Sequence, residues 1–364
     1  MLSLGAAGIW LVIALLPWRP WAIREVLDVQ PEPLPPGFDG VTAVIPARNE
    51  AEQIGATLAA LAAQGGSLKT MLVDDGSDDG TAERALSVPN LDLEILRSEP
   101  LPEGWSGKLW ALEQGIRRVK TRYILLLDAD IVLAPGTLNS LLQKRELEGA
   151  SLLSIMARLR TESFWEKLLV PAFVYFFKLL YPFHLANSAD PRFSAAAGGC
   201  ILVETEALRV VGGAAAIREE LIDDCALAAK VKRAGYRTWI GLSQAVVSHR
   251  RYERLEPIWE MVARTAFTQL RYSPLNLLVC TVLMATLYWV PVTVLWAAPI
   301  EPSAVIACSV MVLTYLPTVR FYDRHGAWAL GLPVVATLYL AMTWSSALRY
   351  WRGERSRWKG RVYR

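Results

Sequence analysis

Four groups of residues carry functional groups that could do chemistry, and three of the four are acidic. Residues 73–81 (VDDGSDDGT) put Asp74 and Asp75 where an apolar run becomes a Gly/Ser turn. A carboxylate only accepts hydrogen bonds, so at such a point it can receive them from a ribose hydroxyl or a base N–H. The plainer account is a solvated turn, because Asp, Gly and Ser favour turns unaided. Residues 123–130 (YILLLDAD) end in Asp128 and Asp130, with Ala129 between them. Two carboxylates at i and i+2 in a strand-to-loop transition can converge on one hard divalent cation and leave positions open for diphosphate oxygens. A lone Asp-x-Asp is weak evidence, and the acidic strand end upstream strengthens it. The third group, Asp223 and Asp224, heads a helical pattern that runs to about Ala234 and stops at Gly235. First-turn acids favour the helix dipole and need no catalytic explanation, yet a carboxylate beside a reaction centre is a sensible general base for a hydroxyl. The fourth is Lys108 in GWSGKLWALEQG, a point charge for phosphate or an ordinary surface lysine. His184, His249 and His325 are scattered without metal spacing and receive no role.

These side chains need a scaffold, and the pattern around them predicts one. Residues 41–46 read as a strand, followed by fifteen residues of helical periodicity (AEQIGATLAALAAQG) ending at Gly65. A strand at 69–75, a turn, a helix from Thr81, a strand at 93–96, a helix over KLWALEQGIRRV and a strand at 123–130 complete the series. Apolar strands alternating with helices predict an α/β fold built on a doubly wound, mostly parallel sheet. Ligands of such sheets bind at the carboxyl ends of the strands, where the acidic clusters are expected to fall.

The rest of the chain is too apolar for an ordinary soluble protein of 364 residues. Hydrophobic residues make up 53% and charged residues 20%, mean hydropathy is +0.27, and there are 14 Trp. Residues 2–18 contain no charge and are just long enough to span a bilayer. They lack the basic start and small-residue cleavage site of a signal peptide, so residues 1–24 read as a retained anchor. A Pro-rich linker follows over 25–40, then a catalytic domain over 41–272. Three apolar runs (275–298, 303–319 and 327–348) predict about three transmembrane helices within 273–348. Trp289, Trp296, Trp328, Trp344 and Trp351 lie in or beside these runs, where an interfacial aromatic belt would sit. Residues 164–185 are apolar but interrupted by Glu166, Lys167, Lys178, Pro171 and Pro182, which predicts an interfacial helix and not a span.

The tail, 349–364, holds seven Lys and Arg against Glu354, and the positive-inside rule puts it in the cytoplasm. Three spans after a cytoplasmic domain would put it on the other side. One run is then re-entrant or interfacial, a further span exists, or the tail departs from the rule. Net charge of +3 is too small to indicate nucleic acid as a partner. Four well-separated cysteines without a CxxC spacing indicate neither a disulfide framework nor a zinc site.

Taken together, PARNE (46–50), VDDGSDDGT, GKLWALEQG, DAD and IDDCAL resemble, in order, the motifs of the inverting family 2 glycosyltransferases, whose catalytic domain has the GT-A fold. The resemblance covers roughly residues 40–272. With the flanking spans, SAAAGGCILVETEAL, IDDCALAAKVKRAG and RTAFTQLRYSP, it is greatest to the hopene-associated glycosyltransferases, relatives of the ceramide glucosyltransferases. It implies that Pro46, Arg48, Glu50, Asp74, Asp75, Lys108, Asp128 and Ala129 bind a nucleotide sugar. It also implies that Asp130 and Asp128 hold Mg2+ or Mn2+, and that Asp224, beside Asp223, is the general base. Here Asp223 stands where the family has Glu. Gly198, Gly199 and Cys200 fall in the acceptor loop of relatives. The Gln-x-x-Arg-Trp motif of membrane-embedded relatives is missing, and Arg264, Gln269 and Arg271 are its nearest replacements, which disfavours processive polymer synthesis.

The expected protein is a multi-pass enzyme of a bacterial inner membrane with its catalytic domain in the cytoplasm. It would move one sugar from a nucleotide diphosphate sugar to a lipid hydroxyl, of the hopanoid or sphingolipid-like class that the resemblance implies. Three alternatives stay open. A polyprenyl-phosphate glycosyltransferase would need no general base, a nucleotidyltransferase would release pyrophosphate, and a non-catalytic membrane scaffold would bind no nucleotide.

Overall fold

The computed structural model describes residues 1–29, 37–66, 68–297, 301–354, 356–358 and 361–363. Residues 30–36 of the Pro-rich linker and part of the basic tail lie outside the described residues. The chain divides into two compact units, each assembled from separated stretches of sequence.

The first unit, Glu25–Arg160 with Leu185–Arg250, is built on one eight-stranded sheet. Its strands are β1 (Val41–Ala47), β2 (Lys69–Asp74), β3 (Asp92–Arg97), β4 (Tyr123–Leu127), β5 (Ile131–Leu133), β6 (Leu152–Arg158), β7 (Cys200–Glu204) and β8 (Thr238–Ser248). They lie in the order β3-β2-β1-β4-β7-β6-β8-β5. The first four pair in parallel as expected, and β6 with β8 also pairs in parallel. Two strands reverse the direction: β7 runs antiparallel to both β4 and β6, and β5 runs antiparallel to β8.

Register brings the loops together. Ala47 pairs with Asp74, and Leu127 at the end of β4 pairs with Cys200 at the start of β7. The carboxyl ends of β1, β2 and β4 therefore share an edge with the loop that enters β7. β1 and β4 are buried along their whole length, which explains their unbroken apolar reading. The helix Gly107–Arg118 packs closely on this sheet because Gly115 has no side chain: a Cβ there would stand 2.6 Å from Val44 Cγ1. Residues 25–29 do not behave as linker. Leu27 is buried, and its N–H donates to the Leu242 carbonyl of β8 at 2.8 Å.

The second unit, Met1–Arg24, Thr161–His184 and Arg251–Arg364, is helical and apolar. Three of its helices, Pro274–Trp296, Pro302–Phe321 and Gly326–Trp351, are long and apolar enough to cross a membrane. The N-terminal helix is shorter than the apolar run in the sequence. It spans Leu2–Leu15, about 21 Å at 1.5 Å per residue, against a hydrocarbon layer of about 30 Å. Pro17 stops it by forcing Leu16 into an extended conformation, ψ 129°. The helix Phe164–Leu180 opens with a reciprocal cap between Ser163 and Glu166 and carries Pro171 within it. Two aromatic donors inside this unit bond to backbone carbonyls: Trp10 Nε1 donates to that of Leu287 at 3.0 Å, and Tyr339 Oη donates to that of Leu169 at 2.9 Å.

Candidate active site

Lys108, Asp128, Asp223, Asp224 and Gly198 line one cleft of the sheet unit, with apolar walls from Leu109, Leu227 and their neighbours. Local sequence explains each placement. Ser106 caps the helix Gly107–Arg118 by accepting the Leu109 N–H at 3.3 Å, which puts Lys108 in the first turn. Asp128 is the first residue after β4, and its N–H donates to the Gly199 carbonyl at 3.0 Å. Asp223 and Asp224 form the first turn of the helix Asp223–Arg233.

The loop before β7 is held residue by residue. Ser154 Oγ accepts the Ala197 N–H at 2.7 Å, Gly198 N–H donates to Asp224 Oδ2 at 2.8 Å, and Gly199 holds Asp128. Gly198 lies between the two charged groups: a Cβ there would be in ordinary contact with both, 3.5 Å from Lys108 Nζ and 3.6 Å from the Asp224 carboxylate. Upstream, Lys232 Nζ anchors the same loop by donating to the carbonyls of Ala186 and Phe193 at 2.7 and 2.6 Å.

Charge in the cleft is unevenly balanced. Lys108 Nζ lies 2.7 Å from Asp128 Oδ1. Burial works against the ammonium charge, but Asp128, Asp223 and Asp224 together outweigh it and raise the Lys108 pKa. Burial also raises Asp128, opposed by Lys108. Asp224 is pushed up to about 6, first by burial and then by its neighbour Asp223, against the hydrogen bonds from Cys225 and Gly198 and the charge of Lys108. Cys200 is fully buried and pushed up to about 12 by burial and by Asp128, so it stays a neutral thiol.

A second group lies at the ends of β1, β2 and β8. Arg48 donates to the Asp75 carbonyl and stands 3.9 Å from its carboxylate, which is 4% exposed. Asp74 is engaged differently: its Oδ1 accepts both the N–H and the hydroxyl of Ser77, closing the turn. Pro46 lies in β1 and is also among the residues of the cleft, while Glu50 precedes the helix Ala51–Ala62. Asp130 faces residues to which the sequence assigned nothing. Ser248 Oγ donates to Asp130 Oδ2 at 2.6 Å, Arg250 Nε stands 3.4 Å from the same oxygen, and Arg250 Nη2 donates to Glu50 Oε1 at 2.8 Å. The backbone N–H of His249 donates to the Asp130 carbonyl at 2.9 Å. The available signal was TWIGLSQAVVS, a β-rich run that ends in the basic SHRR.

The Asp-x-Asp pair is thus divided between two cations, Asp128 facing Lys108 and Asp130 facing Arg250. Among the described residues, no three His, Cys, Asp or Glu side chains stand together as a metal-binding group. The donor chemistry nevertheless fits a hard cation: each aspartate keeps one carboxylate oxygen free of a hydrogen-bonding or ion-pair partner among the described residues. Arg264, Gln269 and Arg271 belong to the apolar unit, where Gln269 accepts a hydrogen bond from Tyr181 Oη at 2.8 Å.

Residues 42–212 match the profile of glycosyl transferase family 2. A stretch of 128 residues is 31% identical to the 4,4'-diaponeurosporenoate glycosyltransferase of Staphylococcus aureus (strain USA300), covering 35% of this chain and 34% of that protein. The chain therefore spans about a third of the length of the curated relatives it matches. Among solved structures, the mannosyltransferase PcManGT from Pyrobaculum calidifontis, in complex with GDP-Man and Mn2+, shares the fold. Its TM-score is 0.57 at 19% identity, over 97% of this chain and 99% of that one. Profile and sheet agree: residues 42–212 match glycosyl transferase family 2, and the sheet unit has a GT-A-like fold.

Proposed function

We propose that the protein is a membrane-bound inverting glycosyltransferase that moves one sugar from a nucleotide diphosphate sugar to a lipid hydroxyl. The observation that carries this reading is the cleft itself, where Lys108 and Asp128 stand beside Asp224 across a glycine that leaves room between them. Arg48, Glu50 and Asp75 receive the nucleoside, with Asp74 shaping the turn. Lys108 turns its ammonium toward the diphosphate. A divalent cation, Mg2+ or Mn2+, held by Asp128 and Asp130, supplies Lewis-acid charge to the leaving diphosphate when bound. The acceptor oxygen attacks the anomeric carbon on the face opposite the leaving group. As that C–O bond forms and the bond to the diphosphate breaks, Asp224 takes the hydroxyl proton. With a pKa near 6 it is ionised at neutral pH yet basic enough to accept. Gly198 N–H and Cys225 N–H hold its two oxygens in place.

Three long apolar helices support a bilayer location, as does the lipid-type acceptor in the name of the Staphylococcus relative. We place the enzyme in a bacterial inner membrane with the sheet unit in the cytoplasm, where nucleotide sugars are made. Residues 164–185 lie along the interface, and the acceptor is of the hopanoid or sphingolipid-like class.

The test is donor hydrolysis and lipid transfer by the full chain in detergent, over a panel of nucleotide sugars, with and without Mn2+. Asp130→Ala is expected to abolish metal-dependent turnover, and Asp224→Asn to abolish transfer. Near-full transfer by Asp224→Asn would favour a polyprenyl-phosphate acceptor, whose oxygen is already anionic. No turnover of any donor by folded protein would return the acidic clusters to structural turns.

A further inference from the structure

The reaction outlined above leaves Arg250 unused, yet this side chain ties two parts of the site together. Its Nη2 donates to Glu50 Oε1 at 2.8 Å, and its Nε stands 3.4 Å from Asp130 Oδ2. Glu50 belongs to the β1 loop and is 8% exposed; Asp130, 7% exposed, belongs to the turn between β4 and β5. The arginine comes from a third element, two residues beyond Ser248, which pairs with Ile131. That pairing also sets Ser248 Oγ on the same Asp130 oxygen, and the Ser248 hydroxyl receives the Arg250 N–H at 3.3 Å. Asp130 Oδ2 therefore meets a cation and a hydroxyl donor in the structure, both supplied by the end of β8.

We infer that Arg250 is a positioning residue that makes metal binding at Asp130 conditional on the donor nucleotide. The inference rests on the proposed nucleotide-sugar site. A metal ion and a guanidinium repel each other, so a cation cannot settle at Asp130 without weakening the Arg250 contact. An arriving diphosphate carries the charge that offers the guanidinium a new partner and releases the carboxylate. Metal and nucleotide are then coupled through one side chain, and by linkage each raises the affinity for the other by the same factor. The bond to Glu50 keeps the arginine within reach of both positions.

The experiment measures Mn2+ binding by the loss of the free-ion paramagnetic resonance signal, using the full chain in detergent. Mn2+ is offered alone and with GDP, UDP, ADP or dTDP. In Arg250→Met, Mn2+ alone is expected to bind about tenfold more tightly than in the parent, because one opposing charge is gone. The further gain from the nucleotide is expected to shrink. Arg250→Lys keeps the charge and is expected to restore the coupling in part, a result that a purely structural role does not produce. Thermal unfolding of each variant confirms that it is folded. If the parent binds Mn2+ with a nucleotide but Arg250→Met binds Mn2+ alone no more tightly, the coupling is overturned while the donor site stands. If neither protein binds Mn2+ with any nucleotide, both readings fall.

Discussion

Replacing Asp224 by Asn tests the electrostatics of the cleft apart from its chemistry. The fold resists the ionised form of this carboxylate, whose pKa lies at about 6 against an ordinary 3.8. The two values differ by about two pH units, each worth about 1.4 kcal/mol, so full shielding would make the ionised group cost about 3 kcal/mol. Asp224 is only half-buried, and solvent reduces the figure to about 1–2 kcal/mol. The sign follows from the raised value: stability from this group is complete below about pH 4 and is lost as pH rises through about 6. Asn cannot ionise and loses nothing over that interval. It does turn an amide toward one of the two backbone N–H groups that Asp224 accepts, a cost of about 1 kcal/mol at every pH. Comparing pH 4.5 with pH 8 cancels that constant.

Relative to the parent, the variant should therefore gain about 2–6 °C in Tm between the two pH values, measured in the same detergent. Transfer at pH 8 should fall by about 10²- to 10⁴-fold in the same preparation. An equal Tm difference at both pH values would refute the reasoning, because Asp224 would then not be a carboxylate whose charge the fold opposes.

Three further outcomes are expected. In the parent, kcat/KM should fall about tenfold per pH unit below about pH 6 as Asp224 takes up its proton, and an acid limb at pH 4 would contradict the assignment. Gly115→Ala puts a methyl 2.6 Å from Val44 Cγ1 and should cost about 1–3 kcal/mol, read as a lower Tm with the donor KM little changed if the sheet repacks. Glu166→Ala should cost about 3–5 kcal/mol in the apolar unit, because this buried carboxylate accepts the N–H groups of Glu162, Ser163 and Tyr252; an unchanged Tm would show that water replaces it.

The parallel half of the sheet is legible in the sequence because β1, β2 and β4 are short apolar runs, the last two ending in acids, with helical periodicity between them. Direction is not legible. The five residues of β7 look like those of any buried strand, and that they run against β4 is decided by pairing with Leu127 and Ile155, far away in the chain. The ends of apolar runs are also poorly marked: hydropathy continues past Leu15 to Trp18, but the backbone cannot, because Pro17 removes a donor and restricts Leu16. In the site, the acids are conspicuous because carboxylates at strand ends are unusual in apolar surroundings. Arg250 is not, because arginines are common after strands and only register brings this one to Asp130 and Glu50.

The order in which the chain leaves the ribosome adds a constraint of time. Helix Leu2–Leu15 is made first, yet its partners come last: Ser3 bonds to Ser303, 300 positions later, and Trp10 to the carbonyl of Leu287. At about 5–20 residues per second the helix waits for roughly 15–60 s before those partners exist. Every residue of the sheet unit is synthesised during that interval. The sheet unit thus has all of its own contacts to form before the apolar unit can close, and until then the side chains of Ala6, Ala7 and Trp10, buried in the finished protein, lack the partners from residues 287–303 that come last.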